Sequence, residues 1–357
     1  DRILIMDPEA IRIKLELARS HFELGSFEAA KTYFMEVLAA DPPENVKKNI
    51  EFFLDVMKKA EKKHILSGVF TAGINWDDNI KSAPLSTTTE VLGFELELTG
   101  DTATPKEDQI MNSTIMLNHI YKVPDRNIAW KTILINYNAL YQDQVDLDIN
   151  YLGINSGPVW KTGAFMWDIY GLATQTYLDD EKYLVSNGIA SNFILTMDPV
   201  IQIKLGAKFE NKQYQQDTSK DATNTTFSIG PMINAGVNTF GFILSFEDEG
   251  ADDPENSYDR HNATLTYSRK LLHNFTFNFK AGLKMTDYRE ANILYGVKRS
   301  DMVKTHTSGF TRIFYQSPDR SRSMSATASY TYTKSESNIV IYSYKKDVLA
   351  ASMTLMF

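Results

Sequence analysis

Residues 275–285 read FTFNFKAGLKM, and their character alternates at every step. Apolar side chains fill the odd positions from Phe275 to Met285, whereas Thr, Asn, Lys and Gly fill the even positions. Successive side chains of a strand point to opposite faces, so this stretch has one apolar and one polar face. Strands of soluble sheets usually have about five or six residues, and a tilted strand needs about 9–11 to cross a bilayer. The stretch therefore predicts a membrane-crossing β-strand.

The same alternation recurs along the chain after about residue 65. It appears in IQIKLGAKF, EVLGFELEL and VDLDINY, which are residues 201–209, 90–98 and 145–151. The chain ends on LAASMTLMF, residues 349–357, with apolar side chains along one face. Because an open sheet edge is intolerable in lipid, we predict that this tail is the closing strand of a barrel. The side chains of this strand expected to face lipid include Met353, Leu355 and Phe357.

Connector lengths indicate the kind of barrel. Six tight turns are predicted at residues 123–126, 155–158, 197–199, 236–238, 271–274 and 317–320. Seven loops lie between the turns and are mostly longer and polar, although the loop near Gln142 is expected to be short. Short turns on one side and long loops on the other are typical of outer-membrane barrels. We predict an antiparallel transmembrane β-barrel of about 14 strands over residues 88–357, with both barrel ends on the periplasmic side.

Residues 8–63 have helical periodicity instead. Two helices resemble a tetratricopeptide (TPR) repeat, with suitable residues at Ala18, Gly25, Ala30, Phe34 and Pro42. A third helix is predicted over about residues 44–63, and the apolar stripes are expected to be mainly core. Since a lone repeat cannot bury its own faces, we expect repeats upstream and predict that residues 1–63 are a truncated periplasmic TPR-like domain. The residues expected to line its partner groove are Leu17, Phe22, Tyr33, Phe34 and Phe53.

Composition excludes several classes of function. The formal charge of −8 argues against binding to nucleic acid. The mean hydropathy is −0.30, and no apolar run is long enough for a transmembrane helix. The sequence contains no cysteine and no hydrolase, metalloprotease or nucleotide-binding motif. We therefore expect no enzyme activity, no cofactor and no metal.

The polar faces of the predicted strands should line a wet lumen. Inward carboxylates could in principle do acid–base chemistry, but solvating the lumen is the favoured interpretation. A charged lumen is compatible with a porin and with a protein translocon. The charges expected there are Glu95, Glu97, Asp146, Asp148, Lys204, Lys208, Lys280 and Lys284.

Residues 64–87, between the helices and the predicted barrel, are interpreted as a linker, and they contain the stretch GVFTAGINWDDNIKSAP. It carries a motif formed by Gly73, Asp77, Asn79, Ile80, Ala83 and Pro84, with Lys81 where a second Asn would stand. Further motifs lie late in the chain, at Arg299, Asp301, Ser337, Asn338, Ile339, Tyr342, Tyr344 and Phe357. In this order they resemble the surface lipoprotein assembly modulators (Slam), the outer-membrane proteins of type XI secretion. The resemblance covers nearly the whole chain.

The resemblance implies a translocator that receives a periplasmic client protein and moves it to the cell surface. The client would be a surface lipoprotein or a secreted cofactor-carrying protein. Other partners expected from this interpretation are outer-membrane lipids and the machinery that inserts barrels, and the protein would act as a monomer. The main alternative is a passive outer-membrane channel or polysaccharide exporter. A structural or adhesin-like membrane protein is a weaker alternative, because the loops are short.

Overall fold

A computed structural model describes residues 10–357 apart from residues 25, 101 and 125. The chain forms two compact units, a helical unit that ends at Ile65 and a β-sheet unit from Leu66 to Phe357. The predicted turn glycine, Gly25, lies outside the described residues, and so does the segment before residue 10.

The helical unit contains α1 (Ile11–Glu23), α2 (Phe27–Ala39) and α3 (Glu44–Glu61). Ala18 and Ala30 are fully buried between helices, as small residues at a close contact should be. The remaining core residues are Phe34, Val37, Ile50 and Met57. None of the described helices is both long and apolar enough to cross a bilayer. The helices are as predicted, whereas their assignment as a TPR repeat stays a prediction.

One residue of the predicted partner groove belongs to the core instead. Phe34 has no exposed surface and stacks on Phe53, with ring centroids 5.3 Å apart. A side chain without exposed surface cannot contact a partner, so the prediction was wrong for Phe34. Leu17, Phe22, Tyr33 and Phe53 keep part of their surface exposed and remain candidates.

The β-sheet unit is a closed barrel of 14 antiparallel strands with a separate two-stranded hairpin. Around the barrel, β1 lies between β16 and β4, and the other strands follow in sequence order. The barrel strands are β1 (His64–Asp77), β4 (Asp108–Lys122), β5 (Ile128–Tyr141), β6 (Ile149–Thr162), β7 (Phe165–Leu178), β8 (Glu181–Thr196), β9 (Ile201–Tyr214), β10 (Ala222–Ala235), β11 (Asn238–Ala251), β12 (Tyr258–Lys270), β13 (Phe275–Ala291), β14 (Lys298–Gln316), β15 (Ser323–Ser337) and β16 (Tyr344–Met356). The hairpin is β2 (Thr88–Val91) and β3 (Phe94–Glu97).

Six turns lie at one end of the barrel, here called the turn end, together with the last residue of the chain. They are residues 123–127, 163–164, 197–200, 236–237, 271–274 and 317–322. Seven loops lie at the other end, here called the loop end, and are residues 78–107, 142–148, 179–180, 215–221, 252–257, 292–297 and 338–343. The predicted numbers of turns and loops are confirmed. The turn predicted at 155–158 falls inside β6, and the shortest loop is Asp179–Asp180 rather than the one near Gln142.

The predicted start of the barrel was wrong. The first barrel strand is β1, inside the segment interpreted as a linker, and not a strand near Thr88. Residues 88–97 were counted as a barrel strand, but they fold back on themselves at Leu92 and Gly93, whose φ angles of 52° and 83° make a tight hairpin turn. The two errors cancel, which is why the predicted number of strands is correct.

The alternating faces lie as the sequence indicates. Apolar side chains on the odd positions of β13 share a face with Phe310 of β14 and Tyr267 of β12. Aromatic rings touch across this outer wall near the turn end, with Phe277 and Phe310 5.3 Å apart and Trp160 and Trp167 5.1 Å apart. Aromatic girdles of this kind mark the membrane interface of outer-membrane barrels.

The closing strand completes the barrel as predicted. β16 pairs with β1 from Met356 opposite Val69 to Val348 opposite Asp77. Phe357 continues the ladder, because its N–H and C=O bond to the backbone of Gly68 at 3.0 and 2.6 Å. Its ring lies over Gly68, so a Cβ added there would come within 2.4 Å of the ring.

Candidate functional site

The loop end is where the sequence motifs meet, and the first of them spans the last residues of β1 and the chain that follows. The carboxylate of Asp77 accepts the N–H of Asn79 at 2.9 Å and pairs with Lys346 of β16 at 3.2 Å. The Asn79 amide donates to the carbonyl of Lys345 at 2.9 Å and accepts the N–H of Ala83 at 2.7 Å. Asp77 and Asn79 are both buried. The chain that follows β1 is therefore fixed to β16.

The other residues of this motif hold the same segment in place. Gly73 leaves no room for a side chain, because a Cβ would lie 2.7 Å from the carbonyl oxygen of Ala351. The N–H of Ile80 donates to the carbonyl of Lys106 at 2.9 Å, which joins the two ends of loop 78–107. After Pro84, the N–H of Leu85 donates to the carbonyl of Ser343 at 2.8 Å. This motif is thus a folded part of the loop end and not a linker between domains.

Arg299 is the centre of the second motif. Its guanidinium pairs with Asp301 through two nitrogens, at 2.6 Å from Nη2 and 3.0 Å from Nε. The same group lies over the ring of Tyr342 at 3.3 Å and over that of Tyr288 at 4.8 Å. A planar guanidinium suits this arrangement, since it can form a two-pronged ion pair in its plane and stack on aromatic faces. Arg299 thereby ties loop 338–343 to the wall of the barrel.

The third motif shapes loop 338–343 itself. The Asn338 amide donates to the carbonyl of Lys298 at 2.7 Å and accepts the N–H of Ser300 at 2.8 Å. The Ser337 hydroxyl accepts the N–H of Ile339 at 3.1 Å, and Ile339 is almost fully buried. Tyr344 begins β16, where it pairs with Ser335.

These three motifs are far apart in sequence and adjacent in the barrel. β1, β16, β15 and β14 are consecutive neighbours, and each motif lies at the loop end of one or two of them. The hydrogen bonds described above join loop 78–107 to β16, and loop 338–343 to β14. The arrangement is a single cluster that fixes two loops over one sector of the barrel rim.

Loop 78–107 also reaches beyond this sector. Lys81 pairs with Asp146 of loop 142–148 at 3.4 Å. On the other side, the Thr89 hydroxyl donates to the phenolic oxygen of Tyr295, in loop 292–297, at 3.4 Å. The loop therefore crosses part of the loop end and connects loops on both sides of β1.

A polar belt runs along the lumen face of β8–β14, near the loop end. Glu210, Asn224 and Glu249 are register neighbours on β9, β10 and β11, and all three are buried. Asn224 donates to Glu249 at 2.7 Å, and Glu249 pairs with Lys212 at 2.6 Å. Buried charges require such partners, since an unpaired charge in this setting is strongly destabilising.

The belt continues toward the motif cluster. Glu247 accepts hydrogen bonds from Asn224, Tyr258 and Arg260 at 2.9, 3.0 and 3.3 Å. Arg260 also donates to the hydroxyl of Thr286, whose register partner on β14 is Asp301. Paired charges thus line the lumen wall from β9 to Arg299 on β14.

The predicted lumen charges divide into two groups. Lys204, Lys208, Lys280 and Lys284 lie on the lumen face, and Lys208 pairs with Glu210 at 2.6 Å. The prediction was wrong for the four acidic residues. Asp146 and Asp148 lie in loop 142–148, where Asp148 accepts the N–H of Tyr141 at 2.7 Å, and Glu95 and Glu97 lie on the hairpin.

Sequence reasoning missed the carboxylates of the belt. Glu210, Glu247 and Glu249 lie on the polar faces of strands that alternate like the others, so their direction was readable from the period of two. Their pairing with Lys212 and Arg260 could not be read from the sequence, because it depends on the register between neighbouring strands.

The fold defines the class of this protein, an outer-membrane β-barrel. Its fold is similar to the crystal structure of a Pseudomonas aeruginosa FadL homologue, with a TM-score of 0.50 and 9% identity over 83% of this chain and 90% of that chain. OmpT of Vibrio cholerae is less similar, with a TM-score of 0.45 and 10% identity over 83% and 99% of the two chains. An anion-selective porin from Comamonas acidovorans has a TM-score of 0.43 and 9% identity over 82% and 99%.

The family is shown by the sequence of the barrel. Residues 68–357 match the surface lipoprotein assembly modifier family, and the chain belongs to that family. This confirms the resemblance drawn from the motifs. No curated protein matches the sequence significantly. The family points to surface lipoproteins as partners, and the family and the fold together point to the outer membrane.

Proposed function

We propose that this protein is an outer-membrane translocator that receives a client protein in the periplasm and moves it to the cell surface. The client is a surface lipoprotein or a secreted cofactor-carrying protein. The observation that carries this proposal is the meeting of the family-like motifs in one cluster, around Asp77, Asn79, Arg299 and Asn338, where two loops are fixed over the barrel rim. A barrel that passes a folded or extended protein needs such a closure when no client is present.

The helical unit and the barrel would have different roles in this process. The helices would receive the client in the periplasm, through Leu17, Phe22, Tyr33 and Phe53. The barrel, inserted by the outer-membrane assembly machinery, would guide the client as a monomer surrounded by lipid. No bond is made or broken in this mechanism, and the lumen charges act by binding and gating.

A passive channel or polysaccharide exporter is the second candidate. The charged lumen favours it, since a wet charged wall also suits small solutes. The burial of Glu210, Asn224 and Glu249 argues against it, because an open aqueous pore would leave such wall residues hydrated.

Co-expression with the protein encoded by the neighbouring gene tests the proposal. We expect the client to become accessible to protease on intact cells when the chain is present and to stay in the periplasm when it is absent. Deleting residues 1–63 should leave a folded, heat-modifiable barrel and abolish display. Equal display with and without the chain, together with lower solute uptake in the deletion strain, would replace the translocator with the channel.

A further inference from the structure

The hairpin of β2 and β3 has two different faces. Val91 pairs with Phe94, and Thr89 pairs with Leu96, so these four side chains share one face. Glu90 pairs with Glu95, and Thr88 pairs with Glu97, so the opposite face carries three carboxylates. The hairpin is therefore apolar on one side and acidic on the other.

The apolar side is exposed except at its base. Thr89 is buried and its hydroxyl is hydrogen-bonded to Tyr295, which fixes the base of the hairpin to loop 292–297. Leu92 and Phe94, near the tip, are 75% and 71% exposed. A hairpin of two short strands has little stability of its own, so large apolar side chains held away from the barrel indicate a surface that another molecule covers.

The acidic side indicates the charge of that molecule. Glu90 stands directly opposite Glu95, and like charges in this position destabilise a strand pair. No cation among the described residues pairs with Glu90, Glu95 or Glu97. A basic partner would relieve this repulsion, whereas the phosphates of a lipid surface would increase it.

The outer edge of β3 is open for pairing. On β2, the hydroxyl of Ser86 donates to the carbonyl of Thr88 at 2.9 Å and accepts its N–H at 3.1 Å, so the outward groups at the base of that strand are occupied. On β3, the outward backbone groups of Glu95 and Glu97 have no partner among the described residues. An extended peptide can add a strand to such an edge, with the backbone supplying affinity and alternate side chains supplying specificity.

We propose that β3 docks an extended polypeptide strand whose side chains alternate between apolar and basic. Its apolar side chains pack on Phe94 and Leu96, and its lysines or arginines face Glu95 and Glu97. This deepens the proposed function and rests on it, because the client is the polypeptide that passes the loop end.

Peptide binding to the full chain in uncharged lipid nanodiscs tests the docking strand. The probe is a labelled short peptide of alternating Val and Lys, with a Val–Glu peptide as the charge control. We expect the Val–Lys peptide to bind the parent protein. The double variant Glu95→Lys with Glu97→Lys should bind the Val–Lys peptide about tenfold more weakly and should bind the Val–Glu peptide instead. Glu107→Lys, an exposed carboxylate of the same loop outside the hairpin, should leave binding unchanged.

Two results would overturn the inference. One is equal binding of the Val–Lys peptide to the hairpin variant and to Glu107→Lys. The other is a blue-shifted emission of Phe94→Trp in anionic vesicles without peptide, which would make lipid the occupant. Display of a client without peptide binding rejects the docking strand alone. Peptide binding without display in any strain rejects the translocator and leaves the docking strand.

Discussion

Single residues at the closure of the barrel have roles that their neighbours define. Gly68 is required because the ring of Phe357 occupies the space where a side chain would stand. An aromatic ring over a glycine also covers backbone that would otherwise be exposed in lipid. The terminal phenylalanine thus acts together with a glycine near the start of the first barrel strand.

We expect Gly68→Val to displace Phe357 and to impair assembly as much as Phe357→Ser does. The reason is that both changes remove the ring from the last pair of the ladder that closes the barrel. Heat-modifiable gel mobility of membrane fractions measures this. Gly171→Val is the matched control, because a Cβ there would meet only one atom, 4.0 Å away. If Gly68→Val assembles as well as Gly171→Val, the contact is dispensable.

At the scale of elements, the alternation of side chains predicted most barrel strands correctly. It failed for residues 88–97 and for β1. Residues 88–97 alternate like a barrel strand, yet Leu92 and Gly93 turn the chain back. β1 also alternates, with Phe70 and Trp76 on the outer face, but it was interpreted as a linker. Periodicity shows which side chains share a face, whereas membership of the barrel depends on pairing with a distant strand.

Loop 78–107 is the element whose release should open the barrel. Asn79→Ala removes the side-chain amide, whose hydrogen bonds to Lys345 and Ala83 fix this loop to β16. We expect higher single-channel conductance in planar bilayers and greater uptake of large antibiotics. Asn127→Ala, an exposed asparagine at the turn end, should behave like the parent protein. An unchanged conductance in Asn79→Ala would show that another element keeps the loop end closed.

For the whole molecule, the sequence indicated a wet and charged lumen, and the structure shows paired and partly buried charges. The positions of Lys204 and Lys280 followed from the period of two alone. The belt from Lys208 to Arg299 did not, because its ion pairs join strands whose register is set by turns and loops throughout the barrel. The same dependence on register brings the motifs together from both ends of the chain.

The last prediction concerns the belt as a unit that stabilises the barrel. Changing Glu247 and Glu249 together to Gln keeps their shape but leaves Lys212 and Arg260 without their carboxylates. Breaking buried pairs in this way destabilises by roughly 3–5 kcal/mol when the remaining charge stays buried, so we expect unfolding at lower urea concentration in lipid vesicles.

Lys280→Gln is the control for this experiment, because Lys280 lies on the same lumen face and is exposed. Its removal should shift the urea midpoint little, since no buried charge loses a partner. A third variant that also replaces Lys212 with Met should recover part of the stability, because one uncompensated cation is then gone. If the double variant of Glu247 and Glu249 unfolds at the same urea midpoint as Lys280→Gln, the belt charges are hydrated individually. The passive channel is then the better description of the lumen.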